Sequence, residues 1–108
     1  MEVANARSMT RSSRLEKMIR IYEAGQVSDF MDSVLDKVFA QEAAKEKALI
    51  EQLRNDLDEF EEQYGQDSDS FYARFRAGEM GDAMDFMEWA SLYDMYTGAL
   101  ARLSLLVD

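Results

Sequence analysis

Carboxylates are the side chains from which this sequence could build a site. Twenty-two Asp and Glu stand against twelve Lys and Arg in 108 residues, with no histidine and no cysteine. Those absences remove the commonest general base, the commonest transition-metal ligand, thiolate nucleophiles and cysteine zinc sites. Carboxylate chemistry remains: binding of a hard cation, or attraction of a basic partner. The densest group is Asp56, Asp58, Glu59, Glu61 and Glu62, five acids in seven residues. Asp67 and Asp69 have the opening spacing of a calcium loop, but the sixth position lacks glycine and the twelfth is Gly78 instead of glutamate. Glu42, Glu46, Asp85 and Glu88 could in principle hold Mg²⁺ or Mn²⁺ in a helical bundle as a hydrolase does. Asp85 and Glu88 are better explained by the three-residue spacing of a capping box, and the other two sit on solvent faces. The expectation is a non-catalytic protein with no metal and no cofactor. Asp56, Glu59, Glu61 and Glu62 then read either as the charge that docks a basic protein or as part of a solvated face that keeps the chain soluble.

The opposite charge is gathered at the start. Residues 1–20 hold Arg7, Arg11, Arg14, Lys17 and Arg20 against Glu2 and Glu16, net +3, while residues 21–108 carry −13. Arg7, Arg11 and Arg14 share one face if a helix extends back that far. They could serve as a nucleic-acid arm, but no aromatic residue is interleaved with them. A solvated basic tail over residues 1–11, or an arm that neutralises the acidic body of a neighbouring chain, fits better. The acidic body disfavours DNA, RNA and anionic lipid, so nucleic acid is expected only through residues 7–20. No apolar run approaches the roughly 20 residues of a membrane span, and the first twenty residues lack the apolar centre of a signal peptide. A cytoplasmic protein is expected.

The elements that must position these groups are helices. Ser12 or Ser13 can cap a first helix, with Leu15, Met18, Ile19 and Tyr22 as its buried side and Gly25 as its stop. Ser28 caps a second that runs without proline or glycine to Gly65. Leu35, Phe39, Ala43, Glu46, Ile50, Leu53, Leu57, Phe60 and Tyr64 recur every three or four residues, the stripe of one helix face. At about 1.5 Å per residue such a helix spans roughly 54 Å. That is longer than one small domain, so it must bend, project or lie against a second chain. Its wide face of Phe30, Met31, Val34, Leu35, Val38 and Phe39, continued by Ala43, is the expected oligomer interface. Glu46 falls on the stripe; it could set register against a Lys or Arg of a partner helix, but a reach to solvent where packing is thin fits better. Asp67 or Ser68 caps a short helix with Phe71, Tyr72 and Phe75 on one side, closed by Gly78. Asp85 caps the last helix, whose seam is Phe86, Trp89, Tyr93, Tyr96, Leu100 and Leu103. Gly98 in mid-helix costs about 1 kcal/mol against alanine and suggests a close crossing. The tightest core is expected over residues 71–96, where most of the aromatic mass lies.

Phe71, Tyr72, Phe75, Gly78, Glu79, Gly81 and Asp82, then Asp85, Phe86, Glu88 and Trp89, then Leu92, Tyr93, Met95 and Tyr96 form the pattern FYxxFxxGExGD, DFxEW and LYxMY. Over residues 64–96 this resembles small acidic helical antitoxin-like proteins encoded in bacterial and archaeal toxin–antitoxin operons. The resemblance implies a dimeric, non-catalytic protein whose acidic surface covers a basic toxin.

The fold expected is all-α and a single domain over residues 1–108. A long helix and a shorter C-terminal one form an antiparallel hairpin with coiled-coil-like packing, joined by a short N-terminal helix and completed by dimerisation or higher homo-oligomerisation. Two other functions fit the same residues: a self-assembling structural coiled coil with no toxin, and a DNA-binding autoregulator that uses Arg7, Arg11 and Arg14.

Overall fold

A computed structural model describes the backbone of residues 2–108 and the side chains from Thr10 onward. Four helices follow one another: α1 (Glu2–Glu23), α2 (Asp29–Tyr64), α3 (Ser68–Arg76) and α4 (Met84–Leu106), with no strand among the described residues. The long second helix is continuous over the span that its apolar stripe demands. α1 begins at Glu2, ten residues upstream of the expected serine caps. Nothing between Val3 and Arg11 breaks a helix: there is no glycine or proline, and Ala4, Ala6, Arg7 and Arg11 are good formers. The residues expected as a flexible arm therefore belong to α1 from Glu2 onward.

The stops and starts follow local chemistry. At Gly25, with φ +66°, the amide of Gln26 reaches the Ile21 carbonyl and that of Gly25 reaches Tyr22, both at 3.0 Å. This paired arrangement satisfies the last carbonyls of α1 and needs a left-handed residue. Gly78, with φ +77°, closes α3 in the same way through Glu79 to Arg74 and Gly78 to Phe75. Ser28 caps α2 as expected, its Oγ accepting the Met31 amide at 3.0 Å. Asp67 caps α3, its Oδ1 accepting the Ser70 amide at 2.7 Å. α4 departs from expectation. Its N-cap is Ala83, which makes no side-chain cap bond, and Asp85 lies inside the first turn. Asp85 is drawn away by the Tyr64 hydroxyl, which donates to it at 2.6 Å.

The chain gathers into two compact units, residues 1–37 and 38–108, each taken by itself. In residues 1–37 the Tyr22 hydroxyl donates to Asp32 at 2.8 Å and ties the end of α1 to the first turn of α2. Met18, Ile21, Val27, Met31 and Leu35 are half-buried. Leu15 is 62% exposed, Ile19 55%, Tyr22 41% and Phe30 78%. The expected buried side of α1 is thus corrected: of Leu15, Met18, Ile19 and Tyr22, only Met18 is covered. A single helix contact shields one narrow stripe, and the neighbouring stripe stays in water.

Residues 38–108 hold the core. Leu57, Phe71, Trp89 and Ala90 are buried together, with Phe60, Tyr72, Phe75, Met80, Phe86, Leu92, Tyr93 and Tyr96 packed around them. The aromatic segment is the tightest part of the molecule, as its composition requires. Trp89 stacks on Phe71 with ring centroids 3.8 Å apart and planes 4° off parallel, and on Phe60 at 5.5 Å. α2 packs with α4. Glu46 meets Arg102, Arg54 meets Tyr96, Phe60 meets Trp89 and Tyr64 meets Phe86, so the partners climb one helix as they descend the other. Ala43 is buried within this unit and is not free to meet a second copy. Val38 and Phe39 are about half exposed, at 45% and 49%.

Gly98 is not at a close crossing. A methyl group there would meet only the tip of the Arg102 side chain, at 3.4 Å. The glycine therefore costs helix stability without a packing return. Gly98→Ala is expected to stabilise residues 38–108 by up to about 1 kcal/mol, raising the melting temperature by roughly 4–8 °C in a domain of this size. A lower melting temperature would mean that something does approach that position.

Candidate protein-docking surface

The five acids of residues 56–62 divide into two kinds. Asp58 and Glu61 are engaged within the molecule. One guanidinium holds both: Arg54 Nη2 lies 2.9 Å from Asp58 Oδ1 and 2.7 Å from Glu61 Oε2. The other face of Arg54 lies over the Tyr96 ring, 5.4 Å from its centroid. Glu61 Oε2 also accepts the Ser68 amide at 2.9 Å, at the first residue of α3, where a helix N-terminus favours negative charge. Ser68 is buried, and its Oγ accepts Trp89 Nε1 at 3.0 Å. Arg54, Glu61, Ser68 and Trp89 thus link α2 through α3 to α4.

Electrostatics follow this linkage. Burial pushes Glu61 towards its neutral form, but hydrogen bonds from Ser68 and Arg54 outweigh it and hold the carboxyl below its ordinary value of 4.5. The hydrogen bond to Glu61 raises the pKa of Arg54 well above the usual guanidinium value, against the opposing pull of burial. Glu61 therefore stabilises the fold at neutral pH. That contribution is complete above pH 4.5 and fades as pH falls through the depressed value.

Asp56, Glu59 and Glu62 are the other kind. Glu59 and Glu62 are exposed and Asp56 is half-buried. None of the three forms an ion pair among the described residues. A recess of about 310 Å³ is lined by Arg54, Asp58, Glu61, Asp67, Ser68 and Asp69, four carboxylates around one guanidinium. Its walls suit a cationic visitor.

Three tyrosine–aspartate bonds tie α2, α3 and α4 to one another. Tyr64 donates to Asp85 at 2.6 Å, Tyr72 to Asp94 at 2.5 Å, and Tyr93 to Asp69. The bond to Asp69, with lesser help from burial, pushes the Tyr93 pKa up to about 12 from an ordinary 10.0. A phenol with a raised pKa stabilises the fold fully below its unfolded value and loses that contribution as pH rises through the folded one. Melting temperature is therefore expected to fall between pH 10 and about 12. Tyr93→Phe should be less stable at neutral pH and lose less across that interval. An identical alkaline slope in the variant would remove Tyr93 from this role.

The carboxylates weighed for metal binding are not brought together. Glu42 pairs with Lys45 at 2.9 Å, Glu46 Oε1 accepts Arg102 Nε at 2.9 Å, Asp85 takes Tyr64, and Glu88 is exposed. Among the described residues, no group of three or more His, Cys, Asp or Glu is placed to hold a metal ion. Glu46, expected to reach solvent, is instead mostly covered and pairs with Arg102 of the same chain at 2.9 Å. Arg7, Arg11 and Arg14 fall at i, i+4 and i+7 of α1; the Arg7 side chain lies outside the described residues, and Arg11 and Arg14 are exposed. No helix among the described residues is long and apolar enough to cross a membrane.

Comparison with protein-family models, characterised proteins and solved structures finds no match. Function must therefore be read from the geometry of the chain itself. Arg54 was the functional residue hardest to see from sequence, although Asp58 at i+4 and Glu61 at i+7 place all three on one face. Ser68 gave no sequence signal beyond its capping position.

Proposed function

We propose that this chain is a non-catalytic protein-interaction module, antitoxin-like, whose acidic helical surface binds a basic partner protein. The carrying observation is where the charge sits. Residues 38–108 hold sixteen acidic side chains against six basic ones, while residues 1–37 are balanced at six of each. The whole excess of −10 thus belongs to the unit with the packed core. Glu62 lies in the last turn of α2, where negative charge is unfavourable by a few tenths of a kcal/mol. Asp58 and Glu61 are held by Arg54 and Ser68, whereas Asp56, Glu59 and Glu62 form no ion pair among the described residues. They attract a basic protein, and the recess lined by Arg54 and Asp69 accepts one lysine or arginine side chain from it. α2 and α4 form an antiparallel hairpin that presents this surface, and the module works as a homodimer.

Co-expression tests this reading. If the reading frame beside this gene encodes a basic growth inhibitor, this chain should relieve the inhibition and co-purify with its product at low salt. Glu59→Lys with Glu62→Lys should abolish relief while leaving the melting temperature within a few degrees of wild type, because exposed substitutions of this kind shift stability by no more than ~0.5 kcal/mol each. Undiminished relief by the charge-reversed chain would refute the assignment.

A further inference from the structure

Residues 1–37 pose a packing problem that their own atoms do not solve. None of the described residues in this unit is buried, yet Leu15, Ile19 and Tyr22 form one stripe of α1, and Phe30 and Val34 stand one turn apart on α2. These five side chains are between 40% and 78% exposed. In two copies they offer on the order of 1,000 Å² of surface, the area a specific interface requires. Shallow grooves run along α1. One of about 470 Å³ is lined by Arg11, Arg14, Leu15 and Met18, an apolar floor with a guanidinium rim.

Charge indicates which partner fits. Among the described residues, Arg11, Arg14, Lys17 and Arg20 form no ion pair, and α2 opens with Asp29, Asp32 and Asp36. The unit is neutral overall but divided into a basic helix and an acidic one. A second copy related by a two-fold axis complements that division twice over, because an isologous contact repeats each pairing. Association through residues 38–108 would instead bring together two bodies that each carry −10.

We infer that residues 1–37 form the homodimer interface. α1 of each copy lies along the opening turns of α2 of the other. Leu15, Ile19 and Tyr22 cover Phe30 and Val34 of the second copy. This rests on the dimeric part of the function proposed above and is independent of the basic partner. It shifts the interface from the stretch ending at Ala43 towards α1.

Sedimentation of the full-length chain tests it, with Trp89 emission reporting that residues 38–108 remain folded. Wild type should sediment as a dimer at micromolar concentration. Leu15→Asp with Ile19→Asp should raise the dissociation constant at least a hundredfold without moving the emission. A change on α2 guards against simple unfolding of α1. Phe30→Lys with Val34→Lys should weaken the dimer to the same degree, again without moving the emission. A wild-type monomer overturns both this interface and the dimeric reading. A dimer indifferent to the Leu15 and Ile19 changes, or to the Phe30 and Val34 changes, overturns the interface alone.

Discussion

Trp89→Ala is expected to cost residues 38–108 about 3–5 kcal/mol, the usual range for removing a large buried aromatic. Trp89 is fully buried, sandwiched between Phe71 and the pair Phe60 and Tyr64. Its loss leaves a cavity that three rings from two helices cannot all collapse into. It also removes the only hydrogen-bond donor that Ser68 Oγ receives from α4 among the described residues. A unit of this size has a total stability of roughly 4–10 kcal/mol, so the variant should be largely unfolded or close to it at growth temperature. Urea unfolding followed by far-ultraviolet circular dichroism measures the effect. Trp89→Phe should retain most of the stacking but lose the bond to Ser68, costing about 1–3 kcal/mol. If Trp89→Ala lost under about 1 kcal/mol, the core would not be organised around this ring.

Glu61→Ala should cost about 1.5–3 kcal/mol, the worth of hydrogen bonds to a charged group. The Ser68 amide would lose its acceptor at the start of α3, and Arg54 would keep only Asp58. The Arg54 share is the smaller one, because its side chain is 36% exposed and water screens the pair. Ser68 is buried, so its amide cannot turn to solvent without opening the turn. Glu59→Ala and Glu62→Ala, on the same acidic run, should each stay within about 0.5 kcal/mol of wild type. Thermal melts of the three single variants make the comparison. Equal losses at all three positions would mean that the run acts as one electrostatic unit and that no residue in it is reserved for a partner.

Much of the architecture was legible because helix signals are local. The continuous stripe from Leu35 to Tyr64 and the capping serine at position 28 define α2 without reference to anything distant. The aromatic spacing from Phe71 to Tyr96 located the core for the same reason. The features that sequence misplaced depended on choices between competing partners. Asp85 has the spacing of a cap but is claimed by Tyr64, twenty-one residues earlier in the chain. Gly98 looked like a crossing point, but only a side-chain tip comes near it. Glu61 reads the same as Glu59 and Glu62 in sequence. Only the fold reveals that a carboxylate seven residues ahead of Ser68 sits at the start of the next helix. α1 was placed too late because its serines suggested a cap, whereas the residues before them are compatible with helix throughout.

The division of the acidic run into structural and docking members is tested most directly by calorimetric titration at low salt. The product of the reading frame beside this gene, which the proposed function requires to be a basic protein, is titrated into wild type, Glu61→Gln and the Glu59→Lys/Glu62→Lys double variant. Wild type and Glu61→Gln should bind alike, and the double variant at least tenfold more weakly, about 1.4 kcal/mol. Equal affinity for all three chains, or no binding by wild type, would contradict the account.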